Sequence, residues 1–216
     1  MKVLGGDTGS ASDVFAGLDW TVNDIVSKGR QNTAVINISL GSSASTLWDA
    51  AITAAWEKGV LAVNAAGNED SPAINSSPCR SPEVICVGNV EINNSRHSGF
   101  GGSNYGPEVD IFAAGTDIVS ASWRSDTAER ATTGTSMASP AVAGLVSYLR
   151  ALEGPSTAAD VKARVYELAT PGVVTDTLGS VNLLAFNGNP SARIASGPSN
   201  GTVNGTVEAR GAWKLW

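Results

Sequence analysis

The chain has 216 residues, 42% of them hydrophobic, and its 14 basic and 20 acidic residues give a net charge of −6. That length supports one well-buried core, or one domain with a tail, and an acidic balance without a Lys/Arg cluster argues against nucleic acid as a partner. No apolar stretch approaches the roughly 18 residues that a membrane-spanning helix needs, and Met1-Lys2-Val3-Leu4 runs into Gly5-Gly6-Asp7 without the apolar region of a signal peptide.

In chain order, Lys2 to Leu4 reads as the start of a short strand. Ala11 to Lys28 reads as a helix, with Val14, Leu18, Val22 and Ile25 at helical spacing. Ala34 to Leu40 predicts a buried strand, Thr46 to Lys58 a helix, and Val60 to Asn64 another buried strand. Val84 to Val90 and Val109 to Ala113 follow as strands, with Ile118 to Ala121 as a shorter one, and then Ser136 to Leu152 and Ala158 to Leu168 as helices. Apolar strands separated by helices predict an α/β fold: a mostly parallel sheet covered on both faces. Sites in such sheets gather beyond the carboxyl ends of the strands, which is where Gly41, Asn68 and the approach to Ser136 fall. From about Gly188 the composition turns to Gly, Ser, Asn and Pro, too poor in apolar residues for a core of its own, so residues 1–187 read as a domain and 188–216 as a tail.

The run Gly134-Thr135-Ser136-Met137-Ala138-Ser139-Pro140 places a hydroxyl residue at the mouth of the apolar helix Ala141 to Leu149. Free N–H groups and the positive end of the helix dipole stabilise negative charge developing there, as on a carbonyl oxygen under attack. Taken alone, the heptapeptide also reads as an ordinary Ser/Thr cap, and Asn68 after Gly67 as a turn residue.

This run resembles the nucleophile motif of the subtilisin-like serine proteases. Val35-Ile36-Asn37-Ile38-Ser39-Leu40-Gly41 resembles the strand whose end lines that family's substrate groove, and Leu61-Ala62-Val63-Asn64-Ala65-Ala66-Gly67-Asn68 the strand that ends in its oxyanion-hole asparagine. Ser103-Asn104-Tyr105-Gly106, Val109-Asp110-Ile111-Phe112 and Val181-Asn182-Leu183-Leu184-Ala185 bring the likeness closest to the proteinase K branch, over about Lys2 to Asn187. The resemblance implies a three-layer subtilisin-like fold lacking its N-terminal part, and serine endopeptidase chemistry on peptide or protein substrates. Ser136 is then the nucleophile, and Asn68 with the Ser136 N–H the oxyanion hole. Ser39, Leu40, Gly41, Ala65, Ala66 and Gly67 become the walls of the P1 pocket, small enough for an apolar or aromatic side chain. The implied molecule is a monomer with no nucleic-acid or membrane partner, and its chemistry requires no cofactor.

A structural calcium ion is also implied, held by the carbonyls of Pro82 and Val84 and the carboxylate of Asp110; oxygen ligands of that kind suit calcium. Cys79 and Cys86 stand close enough to close a small disulfide loop, with two buried thiols as the alternative. The family's usual setting places the parent protein outside the cell. Asn37, Asn75, Asn93, Asn200 and Asn204 lie in glycosylation sequons, although Asn37 falls in a strand expected to be buried.

One departure matters as much as the match. In subtilisins the triad runs Asp, His, Ser, with the histidine in a His-Gly-Thr segment before the asparagine strand. The single histidine here, His97, comes after Asn68 and reads as a surface-loop residue, while Asp7-Thr8-Gly9 reads as a turn before the first helix. Met1 is therefore expected to lie downstream of both missing groups, and the chain alone is expected to be inactive. A non-catalytic subtilase-like pseudoenzyme or peptide-binding scaffold is the alternative. An aspartic protease lacks its second Asp-Ser/Thr-Gly, and an α/β-hydrolase would need Gly at position 138 and a histidine after Ser136. The formal chymotrypsin order His97, Asp110, Ser136 belongs to an all-β fold at odds with the helical periodicity.

Overall fold

The computed structural model describes Val3 and residues 9–189. Apart from Val3, the expected Lys2 to Leu4 strand lies outside the described residues, as do the Asp7 turn, the sequons at Asn200 and Asn204 and the tail beyond Asn189. Helix α1 (Ala11–Ser27) begins where Ser10 Oγ accepts the Asp13 N–H at 3.1 Å, a side-chain cap, and it buries Leu18, Val22 and Ile25. Strand β1 (Val35–Ile38), the two-residue β2 (Ser42–Ser43), helix α2 (Thr46–Glu57), strand β3 (Leu61–Ala65), the two-residue β4 (Ser76–Ser77) and β5 (Val84–Val90) follow. Then come β6 (Ile111–Ala114), β7 (Ile118–Ala121), β8 (Glu129–Thr132), α3 (Thr135–Leu152), α4 (Ala158–Leu168), β9 (Thr170–Pro171) and β10 (Leu183–Leu184).

Six strands form one sheet in the order β1-β3-β5-β6-β10-β9, parallel except for the antiparallel β9. Alternation along the buried strands divides the core in two. Ala62, Val84, Cys86 and Phe112 face α1 and α2 with Leu18, Ile25, Trp48 and Ile52, while Leu61, Val63, Ile85, Val87 and Ile111 face α3 and α4 with Val142, Val146, Leu149 and Val165. Helices on both faces of a mostly parallel sheet make the three-layer α/β arrangement that the apolar strand runs imply.

Two local expectations need correction. Asn37 is exposed, because β1 is the outermost strand among the described residues and only one of its sides is paired. Ile118–Ala121 is a strand, but it pairs with β8 in a separate antiparallel ribbon between β6 and α3 and does not join the main sheet. Cys79 and Cys86 are joined in a disulfide with Cα atoms 5.1 Å apart, tying the turn before β5 to the strand itself. Reduction, or the pair Cys79→Ser with Cys86→Ser, is expected to lower stability by about 2–3 kcal/mol as loop-closure entropy returns to the unfolded chain. A shift of the urea midpoint at constant slope checks it.

Candidate active site

The C-terminal ends of β1 and β3 and the N-terminus of α3 enclose a cleft of about 360 Å³. Leu40, Gly41, Ala65, Ala66, Gly67, Asn68 and Ser136 all line it, with Glu69 and Ser76 beside them. Ser136 is half-buried at the helix mouth, neither sealed in the core nor turned away from the cleft. Its Oγ donates to the Ser39 carbonyl at 3.3 Å, and Ser39 Oγ donates in return to the Ser136 carbonyl at 2.9 Å. Ser39 is thus a strut that fixes the helix mouth to the end of β1.

Asn68 is fixed from the other side. Its Oδ1 accepts the Thr135 N–H at 2.8 Å and the Thr135 hydroxyl at 3.0 Å. A backbone N–H can only donate, so the amide oxygen must face Thr135, which leaves the Nδ2 donor for the cleft. Thr135 Oγ1 also accepts the Gly67 N–H at 3.2 Å, which joins the nucleophile-motif threonine to both neighbours in the asparagine loop. Gly134 has φ +152°, and a Cβ there would lie 3.2 Å from Asn68 Oδ1, so glycine is what lets the helix mouth approach so closely. A Cβ on Gly41 would come to 2.8 Å from the Ser77 carbonyl, across the opposite wall.

The remaining supports, Asn37, Ser139 and Asn104, were given no part in the site from sequence. Ser139 Oγ donates to Asn37 Oδ1 at 2.8 Å, and Asn37 Nδ2 donates to Ser39 Oγ at 2.9 Å, which closes a polar chain from α3 back to Ser136. The signal was present: Asn37 and Ser39 share a strand face, and Ser136 and Ser139 stand one helical turn apart. Asn104 backs the cleft, donating to the Ala66 carbonyl at 3.0 Å, to Glu69 Oε2 at 2.7 Å and to Ser76 Oγ at 3.1 Å. Its Oδ1 accepts the Glu69 and Ser71 N–H groups, each at 3.1 Å.

Arg96, only 2% exposed, pairs with Asp70 at 2.6 Å and Asp176 at 3.0 Å and stands 5.1 Å from the Tyr105 ring centroid, pinning the loop that follows Asn68. His97 lies in the same loop cluster and sets its Nδ1 3.2 Å from the Glu91 carboxylate, away from the cleft lining. Among the described residues no carboxylate or imidazole bonds Ser136 Oγ. The proposed ion ligands do come together, but the Pro82 and Val84 carbonyls each accept a bond of 2.6 Å from Lys162 Nζ, while Asp110 Oδ2 accepts the Cys86 N–H at 2.8 Å. No group of three or more His, Cys, Asp or Glu suited to a metal occurs among the described residues.

A mostly parallel sheet covered by helices on both faces is the fold of a known structure that this chain matches. The model of the subtilase family, peptidase S8, covers residues 1–190. The chain belongs to the subtilase family. It is 50% identical over 188 residues to alkaline protease 1 of Aspergillus clavatus, across 87% of this chain and 46% of that protein. It is 44% identical over 190 residues to the alkaline proteinase of Hapsidospora chrysogena, across 88% of this chain and 46% of that one. A crystal structure of a cold-adapted subtilisin-like serine proteinase superimposes with a TM-score of 0.78 at 35% identity, over 86% of this chain and 65% of that chain. The chain therefore spans about half the length of the curated relatives it matches.

Two predictions test how this subtilase cleft is held. Thr135→Val removes both hydroxyl bonds and leaves the Gly67 N–H without its acceptor, an expected loss of about 2 kcal/mol in urea unfolding. Thr135→Ser, which keeps the oxygen, should lose far less. The second concerns acid. The Gly99 N–H and then Arg96 hold the Asp70 carboxyl below its ordinary 3.8. The unfolded chain takes up this proton at higher pH than the folded one, so the stability Asp70 contributes is present above about pH 4 and is lost as pH falls through the folded value. Urea midpoints followed from pH 5 to pH 2 should decline less steeply in Asp70→Asn than in the unaltered chain.

Proposed function

We propose that this subtilase is a serine endopeptidase in which Ser136 is the nucleophile and the Ser136 N–H and Asn68 Nδ2 form the oxyanion hole. The observation that carries this reading is the clamp on Asn68: Thr135 holds the amide oxygen, which leaves the amide donor beside the mouth of α3, where Ser136 is the second residue. Attack by Ser136 Oγ on a peptide carbonyl moves negative charge onto the carbonyl oxygen, and donors already in place stabilise it without reorganising. The lining of Leu40, Gly41, Ala65, Ala66 and Gly67 suits an apolar or aromatic P1 side chain. The disulfide supports an oxidising, extracellular setting.

The hydroxyl proton must also go somewhere. The Ser39 carbonyl accepts a hydrogen bond from Ser136 Oγ but cannot take up its proton at neutral pH, so these residues alone supply half of the machinery. In this family, loss of the serine or the histidine lowers turnover about a million-fold. The Asp and His groups of the family are best accommodated by strands laid along the edge of β1 that is unpaired among the described residues. A peptide-binding scaffold without turnover is the second reading, favoured by the lack of a base on Ser136 among the described residues.

Fluorophosphonate labelling and casein hydrolysis decide between these. The 216-residue chain should label no faster than Ser136→Ala. Joined behind segments bearing Asp-Ser/Thr-Gly and His-Gly-Thr, it should gain at least about a thousand-fold in both assays, and Asn68→Ala in that longer chain should lose about 100- to 1,000-fold in turnover. Rapid stoichiometric labelling of the short chain overturns its inactivity. A longer chain that binds peptide but never labels overturns the endopeptidase reading in favour of the scaffold.

A further inference from the structure

At the opposite end of the sheet from the cleft, the bend into β5 turns two carbonyls, those of Pro82 and Val84, toward one point. Lys162, one turn into α4, reaches that point with its Nζ 2.6 Å from each oxygen. Asp110, at the start of the neighbouring β6, and Glu83, between the two carbonyls, both act on the ammonium through their charge. The rings of Trp56 and Tyr166 close other sides, with centroids 5.8 Å and 6.0 Å from Nζ. An ammonium carries three donors and a full positive charge, so this pocket of oxygens and ring faces is matched to it in hydrogen bonding and in sign.

These are the same oxygens that the resemblance assigns to calcium. A calcium ion bound through them would stand about 2.3–2.6 Å from each oxygen, within the volume that the Lys162 ammonium fills and with charge of the same sign. Both cannot be held together. We propose that Lys162 is the resident cation of this cradle, so that calcium is excluded from Pro82, Val84 and Asp110 and the junction between α4 and β5 holds without a metal. Burial lowers the Lys162 pKa and raises that of Asp110, while the attraction between the two opposes each shift, as a semi-buried pair sharing one site should behave. This inference concerns a part of the molecule remote from the cleft, and its readouts do not involve turnover.

The test measures melting temperature in calcium chloride and in EDTA, and terbium luminescence excited through Trp56 and Tyr166, for the unaltered chain and for Lys162→Ser. The unaltered chain should melt at the same temperature in both solutions and give no sensitised terbium signal. Lys162→Ser should melt about 5 °C lower in EDTA, having lost two charge-assisted bonds. It should recover part of that loss in calcium but not in magnesium, and should light up terbium. A lower melting temperature of the unaltered chain in EDTA, or a terbium signal from it, overturns the proposal, and this arm needs no variant to fold. So does a Lys162→Ser protein that is as stable as its parent, or one that is destabilised yet unmoved by calcium.

Discussion

The arrangement depends on how the first turn of α3 is seated against the ends of three parallel strands. Ser136 and Ser39 exchange side-chain-to-carbonyl bonds with the end of β1, Thr135 grips Asn68 beyond β3, and the Gly134 N–H donates to the Gly115 carbonyl just past β6 at 2.8 Å. The apolar face of the helix, Val142, Val146 and Leu149, supplies most of the energy that holds α3 on the sheet, at about 1.5–3 kcal/mol for each fully buried side chain. Hydrophobic burial is indifferent to small rotations of a helix about its axis. Directional bonds are not, and those at the helix mouth fix the hydroxyl of residue 136 and the amide of residue 68 relative to each other.

Much of this frame is legible in the sequence because burial on both faces leaves unbroken apolar runs. Val84 to Val90 and Leu61 to Val63 could hardly be anything but central strands, and the stripe of Leu18, Val22 and Ile25 could hardly face water. Elements without apolar content escape the same reasoning. Strand β8 is Glu-Arg-Ala-Thr, formed only because β7 lies beside it, and β2 and β4 are serine pairs whose two-residue ladder is set by the loops that bring them together. The exposure of Asn37 was illegible for a related reason: whether a strand is buried depends on its neighbours, and its own residues do not say how many it has.

At the cleft the motif residues could be read, while the residues that hold them could not. Ser136 and Asn68 stand out because a glycine precedes each motif and the order of motifs follows a known family. Thr135, Ser139 and Asn104 are ordinary polar residues until the fold shows what they touch, although the strand and helix periodicities place Asn37, Ser39, Ser136 and Ser139 on facing surfaces. Lys162 lies 78 residues from Val84, and nothing in a helical Asp-Val-Lys-Ala-Arg says which lysine hydrogen will find a carbonyl.

The two ends of the sheet solve opposite electrostatic problems with opposite groups. Beyond the carboxyl ends of the strands, a helix N-terminus and an oriented amide converge as donors, so the point between them favours negative charge and remains open to solvent. At the amino ends of β5 and β6, two carbonyls and a carboxylate converge as acceptors at a partly buried point, and such a concentration of acceptors is costly unless a cation satisfies it. A metal ion would bring such a cation from solution, and its hold would vary with supply. A lysine on α4 carries the cation within the chain, so the same charge that satisfies the carbonyls also ties the helix flanking the second core to the strand at its centre. The donor end is left open, and the acceptor end carries its own cation.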